Sequence, residues 1–232
     1  MTGIGASRPW LLAIDTGTSR IVVAAGEPDG RVLRVLDWSA GHRHGERLLP
    51  GVEQLLAETG LARADLSGVV VGTGPGAFTG LRVGLATAKA LAHALGVPLA
   101  GAGTGVALLR AAAATSLAEI RNLVLLLPAG PHDRVEVRDG EIARLLPGGA
   151  DPELGPADVL VAVDLAGRAP EGALARGEAA RDGLAAALLE LGAERLLAGA
   201  GDDVARLVPE YVTLPRGVRA ASGEVAWSHG PR

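Results

Sequence analysis

The chain has 232 residues, 48% of them hydrophobic and 21% charged, which is enough apolar material for a sizeable core and too much for general disorder. It has no cysteine, which excludes disulfides, thiolate nucleophiles and Cys-ligated zinc. The formal net charge is -4 with no basic stripe, so a surface that grips RNA unaided is not expected.

The first nine residues lack the basic-then-apolar pattern of a signal peptide, and no uncharged apolar run reaches about 18 residues; a cytoplasmic protein without a membrane span is expected. Aromatics are only 2% of the chain, so Ala, Val and Leu must build the core, and 34 glycines imply many turns and close backbone contacts. Residues 10–16 are an apolar run ending in Asp-Thr-Gly-Thr-Ser, a buried strand entering a tight loop. Strands over 21–25 and 31–38 are joined across Asp29-Gly30, a hairpin signal because both residues tolerate positive φ. After a loop with His42 and His44, the spacing of Leu48, Val52, Leu55, Leu56 and Thr59 marks one face of a helix that Gly60 ends. Residues 69–73 form an apolar strand. A glycine-dense loop over 74–80 follows, then a helix over 81–95 with Thr79 as its N-cap, closed by Gly96-Val97-Pro98. A strand over 99–102 and a helix over 106–120 complete a first lobe, residues 8–120.

The second half begins in the same way. A strand over 122–127, a loop over 128–133, an alternating strand over 134–138, an Asp139-Gly140 turn and a strand over 141–146 repeat the opening pattern as a degenerate duplication. A strand over 158–165, an Ala/Leu-rich helix over 178–191 and a short strand over 196–200 complete a divergent second lobe, 121–214, and 215–232 read as a tail.

Asp15 and Thr16 stand where a phosphate-binding loop would supply a carboxylate and N–H donors. The matching second-lobe positions are Pro128 and Ala129, which can neither hold a metal nor accept a proton, so half of a nucleotide clamp is missing. Gly74, Gly76, Thr79 and Gly80 lie before a helix N-terminus, an anion-binding geometry, but no Gly-Lys-Ser/Thr follows as in a P-loop. Asp15, Thr16, Gly74, Gly76, Thr79 and Gly80 are therefore candidates for a vestigial phosphate site. No catalytic residue and no metal site are assigned. His42 and His44 read as solvated loop residues, and Asp202-Asp203 as a turn or helix cap. Along the helix, Gly80, Gly84, Ala88 and Ala92 recur every four residues, a ridge of small side chains that lets another element approach closely, whether the chain's own sheet or a partner.

The string from Gly74 to Gly84, GPGAFTGLRVG, closely resembles the GPGSFTGLRIG signature of TsaB proteins, with Ala77 for Ser and Val83 for Ile. Ile14-Asp15-Thr16 resembles the family's opening strand, HGERLLP from His44 to Pro50 its HSExLLP segment, and Asp65-Leu66-Ser67 precedes the next strand as in the family. The resemblance covers roughly residues 11–109. In the second lobe, residues 128–137 lack the family's Val-Tyr, and Pro209-Glu210-Tyr211-Val212-Thr213 only echoes its Pro-x-Tyr-Leu-Arg.

The resemblance implies an α/β, actin/Hsp70-like fold of two ribonuclease-H-like lobes with mixed sheets covered by helices. It implies a non-catalytic scaffold subunit of the bacterial machinery that makes N6-threonylcarbamoyladenosine on tRNA. The partners it implies are the catalytic TsaD-type subunit and the TsaE-type ATPase; tRNA is contacted only indirectly, and no membrane is involved. TsaD-like proteins carry a metal-binding His-x-x-x-His on a helix, and the sequence has no such pair. No tightly bound cofactor is expected, with weak ATP or ADP at a shared interface the remaining role for nucleotide. Pairing through the first-lobe helices puts Leu48, Val52, Gly80, Leu81, Gly84, Leu85, Ala88 and Ala92 forward as partner-binding residues, for a TsaD-type subunit or a second copy. The alternative is an ATPase or small-molecule kinase of the same fold using Asp15 and the Gly74–Gly80 loop.

Overall fold

The computed structural model describes residues 8–39, 41, 44–115 and 122–212. In chain order the first half contains strands β1 (Trp10–Asp15), β2 (Arg20–Gly26) and β3 (Val32–Ser39), helix α1 (His44–Thr59), strand β4 (Leu66–Gly72), helix α2 (Phe78–Leu95), strand β5 (Leu99–Ala102) and helix α3 (Thr104–Thr115). All six β1 residues are buried. Successive strand side chains point to opposite faces, so Leu11 and Ala13 enter one core while Trp10, Leu12 and Ile14 enter another. A strand apolar on both faces belongs in the middle of a covered sheet. β1 lies there, antiparallel to β2 and parallel to β4, in the order β3-β2-β1-β4-β5. Gly30, at φ 93, turns the β2–β3 hairpin as expected.

The second half contains β6 (Asn122–Pro128), β7 (Arg134–Val137), β8 (Arg144–Leu146), β9 (Asp158–Ala162), α4 (Glu171–Asp182) and α5 (Leu184–Leu197). Its sheet runs β8-β7-β6-β9, with β6 antiparallel to β7 and parallel to β9. This is the order of the first sheet without its last strand, a repetition of topology. The result is an α/β, actin-like fold of two helix-covered mixed sheets.

One face of the first sheet packs on α1 and α2 through Leu48, Val52, Leu55, Leu85, Ala88 and Ala92. The other face is covered by α5 from the second half of the chain, whose Leu188, Leu189 and Ala193 join the core of Leu11, Ala13, Val22 and Val70, while α3 packs beside it against α5, α4 and β6. Two glycines permit that approach. A Cβ at Gly192 would overlap Val70, and one at Gly26 would crowd Leu189. The same core reaches Leu125, Leu127, Val135 and Val137 of the second sheet. The two lobes therefore share one buried layer, and helices are exchanged across it: α5, expected with the second sheet, serves the first, and α3 packs on β6 of the second.

Several expectations shift. The helix expected over 178–191 is two helices, α4 and α5, meeting at Gly183. No strand forms over 196–200, because Leu196 and Leu197 are the last turn of α5, with Leu196 still packed on the core, and Ala198 and Gly199 (φ 67) end the helix. Helix α2 begins at Phe78, after extended Ala77, so Thr79 sits in its first turn and is not its cap. The αL residue Gly96 closes α2 as expected. Helix α3 starts earlier than expected, at Thr104, and residues 116–120 of the expected helix lie outside the described residues. The third strand of the second sheet shortens to β8, because residues 138–141 turn back with Glu141 N–H donating to Arg138 O. The strand expected over 158–165 stops at Ala162. Of the expected tail, nothing falls within the described residues. Among the described residues no helix is long and apolar enough to cross a membrane.

Candidate interlobe site and pairing face

At the end of β1 the chain must turn within four residues into β2, and Asp15 organises the turn. Its Oδ1 accepts the Gly17 N–H at 2.8 Å and its Oδ2 accepts the Thr104 hydroxyl at 2.7 Å. The Thr104 hydroxyl in turn accepts the Gly74 N–H at 3.0 Å. Asp15 is fully buried, and that burial pushes its carboxyl up from 3.8 to about 6, against the lowering effect of the Thr104 and Gly17 hydrogen bonds; nearby Asp164 adds to the rise. A side chain at Gly72 would overlap Asp15 Oδ2.

The Gly74–Gly80 loop packs onto the same turn. Ala77 N–H donates to Gly17 O at 2.7 Å, and the Thr16 hydroxyl donates to Gly80 O at 2.7 Å. A Cβ at Gly76 would overlap Gly17 O, and one at Gly84 would overlap Thr16 Oγ1. Asp15, Thr16, Gly74, Gly76 and Gly80 are thus brought together as the sequence suggested, with a different consequence. The Gly17, Gly74 and Ala77 amides and the Thr16 and Thr104 hydroxyls bond within the knot and are not presented to a phosphate. Thr79 points elsewhere and is exposed.

Glu210 and Tyr211 seal the opening. Glu210 N–H donates to Thr73 O at 2.7 Å, and the Tyr211 ring lies 4.9 Å from that of Phe78, over which Arg82 also sits. Burial pushes the Glu210 carboxyl up. Between Pro75, Gly76, Phe78, Pro128, Ala129 and Tyr211 a cavity of about 20 Å³ remains. That is room for about one water, against several hundred Å³ for an ordinary small-molecule site.

The partner-binding expectation for α1 and α2 needs correction. Leu48, Val52, Gly80, Leu81, Gly84, Leu85, Ala88 and Ala92 are all buried within this chain. The small ridge faces inward because only glycine and alanine let α2 lie against β1 and the Thr16 turn. What the two helices offer outward is an apolar groove of about 150 Å³ lined by Trp10, Leu49, Val52, Leu56, Leu91 and Leu95, with Leu49 51% and Leu95 43% exposed. Glu53 and Arg63 border it. Helical periodicity places these residues beside the buried stripe; which side faced out depended on the sheet's position.

Sequence reasoning also missed Thr104, Ser19, Asp164 and Arg181. Thr104 and Ser19 carried a signal, one in the Gly-Thr-Gly after a strand and the other in the Asp-Thr-Gly-Thr-Ser loop. Asp164 and Arg181 carried none, since they meet only through the fold. Asp203 starts a turn, accepting the Ala205 N–H at 2.7 Å, and Asp202 ties the segment after α5 to the first sheet: Gly101 N–H donates to its Oδ2 at 2.7 Å, and Arg195 pairs with it at 2.9 Å. His42 lies outside the described residues, and the His44 side chain is likewise not described.

A family model for TsaD, tRNA N6-adenosine threonylcarbamoyltransferase, matches residues 38–208, well over half of the chain. This chain belongs to that family. It is similar both to TsaB/YeaZ proteins and, over 62 residues, to tRNA N6-adenosine threonylcarbamoyltransferases. It is 36% identical over 89 residues to the tRNA threonylcarbamoyladenosine biosynthesis protein TsaB of Bacillus subtilis, a match covering 38% of each chain. It is 49% identical over 94 residues to an uncharacterized protein of Mycobacterium tuberculosis, covering 39% of this chain and 44% of the relative. The matched stretch thus spans less than half of these curated relatives. The fold match is broader: YeaZ from Pseudomonas aeruginosa superposes with a TM-score of 0.66 at 26% identity, over 88% of this chain and 99% of that one.

Proposed function

We infer that the chain is a non-catalytic scaffold subunit of tRNA N6-threonylcarbamoyladenosine synthesis, pairing with a TsaD-type transferase through the outer face of α1 and α2. The observation that carries this reading is the closed Asp15 knot. A nucleotide-using enzyme of this fold needs acidic or hydroxyl groups free on both lobes to hold phosphates and metal. Here Asp15 is sealed beneath Gly72 and Thr104, the facing positions are Pro128 and Ala129, and the gap between them holds about 20 Å³.

The groove between α1 and α2 supports pairing. Contiguous exposed apolar surface rimmed by charge marks an interaction site, and Leu49, Leu56, Leu91 and Leu95 supply it, with Glu53 and Arg63 at the rim. A TsaE-type ATPase joining the pair, and indirect contact with tRNA, are parts of the same reading. It rests on the relatives named for threonylcarbamoyladenosine biosynthesis.

The test is reconstitution. The purified chain should hydrolyse no ATP, while threonylcarbamoyl transfer to tRNA by the TsaD-type protein of the same source should depend on adding it. ATP turnover by the isolated chain that disappears in Asp15→Ala would instead establish an ATPase or kinase.

A further inference from the structure

Ser19 is the exposed tip of the loop whose buried part is the Asp15 knot. Its N–H donates to Asp164 Oδ2 at 2.6 Å and its hydroxyl to Asp164 Oδ1 at 2.5 Å, across 145 residues of sequence. Asp164 follows β9 on the second lobe. Arg181 of α4 reaches the same carboxylate, with Nη1 2.8 Å from Oδ1 and 3.5 Å from Ser19 Oγ. One carboxylate, 11% exposed, thus takes a backbone amide, a hydroxyl and a guanidinium from two lobes. Asp164 also has φ 58, and among the described residues no other non-glycine residue has positive φ. A side chain is held in that region only when its surroundings favour it, and Asp is among the residues that tolerate it. Beside the cluster lies a cavity of about 360 Å³ lined by Ser19, Asp164, Leu165, Leu174, Gly177 and Arg181.

We propose that Ser19 and Arg181 form an oxyanion site of phosphate type between the lobes, and that Asp164 fills it from within, clasping the lobes without a ligand. An amide, a hydroxyl and a guanidinium converging on one point are the donors that bind a phosphate group, and charge-assisted bonds of this kind are short and strong. The Asp164 carboxylate satisfies all three with both of its oxygens. A free anion gripped from both lobes would bridge them; here the second lobe carries its own. The other charges around the cluster are consistent with a self-contained site. Glu178 shares Arg181 at 3.2 Å, Arg20 is held by Asp37 at 2.5 Å, and Asp15 is turned inward. The clasp is independent of which partner the chain pairs with.

Asp164→Gly keeps the backbone free to adopt positive φ and empties the site. Titration of the full chain with inorganic phosphate at constant ionic strength, followed by calorimetry, should show binding at least about ten times tighter than in the natural chain. Adding Arg181→Gln should abolish the gain. A folded Asp164→Gly chain that binds phosphate no better than the natural one, or that keeps its gain without Arg181, overturns the proposal. The natural chain gives a test that needs no variant. The Ser19 amide, although on an exposed residue, should exchange its hydrogen at least about tenfold more slowly than in an unfolded chain, and unprotected exchange would also overturn the proposal.

Discussion

Thr104 and Asp15, 89 residues apart, share a 2.7 Å hydrogen bond that ties the start of α3 to the end of β1 at the centre of the first lobe. Because the same hydroxyl accepts the Gly74 N–H, the carboxylate position found in phosphate-binding loops has become a structural fastening. Burying a charge is costly even when it is hydrogen-bonded, and Asp15 shows that cost as a carboxyl raised to about 6.

Asp15→Asn should therefore change how the chain's stability depends on pH. The folded state holds the Asp15 proton more tightly than the unfolded state does, so Asp15's contribution falls as pH rises from its ordinary 3.8 to about 6 and is level above that. A carboxyl raised that far costs on the order of 3 kcal/mol once it is ionised. Urea denaturation should show the variant gaining on the natural chain between pH 4 and pH 7.5, over a pH-independent cost for the acceptor that the amide group replaces. An equal difference at both pH values would contradict this assignment.

Gly84 and Thr16 form a second fastening, since a Cβ at 84 would overlap Thr16 Oγ1. Gly84→Ala should cost about 1–3 kcal/mol through overpacking. Adding Thr16→Ala should recover part of that loss, a coupling of about 0.5 kcal/mol or more in a double-mutant cycle. Strict additivity would show that α2 is free to shift.

Ala88→Glu and Leu95→Glu separate the inner and outer faces of α2. Ala88 is 0% exposed, so a glutamate there places an unpaired charge in the core and should abolish the cooperative thermal transition. Leu95 is 43% exposed, so its variant should melt within a few degrees of the natural chain, in line with surface changes of about 0.5 kcal/mol or less.

A fragment ending at residue 120 should not fold as an independent lobe. It lacks α5, leaving the sheet face of Leu11, Ala13, Val22 and Val70 uncovered. A soluble fragment with a cooperative unfolding transition would show that α5 is dispensable to that face.

Most of the strands were legible because buried strands announce themselves as apolar runs followed by turn residues, as in residues 10–16 and 122–127. The duplication was legible for the same reason. The path of α5 was not: its Leu and Ala residues state that it is buried, and nothing in their spacing says against which sheet. The four-residue ridge on α2 was found but its direction was not, because Gly84 and Ala88 suit close approach to a sheet as well as to a partner. Asp164 meets Ser19 only after both sheets have formed, so no local pattern could pair them. Asp15 was legible as the key residue of its loop. That it is sealed became visible only with Thr104 and Gly72 in place.

Pairing is the central claim, and light scattering on size-exclusion fractions of this chain mixed with the TsaD-type protein of its own source tests it most directly. A one-to-one complex at micromolar concentration, lost with Leu49→Glu and Leu95→Glu while both variants remain folded, is the expected result. Two separate peaks for the natural chain, or a complex indifferent to those substitutions, would contradict the proposed pairing face.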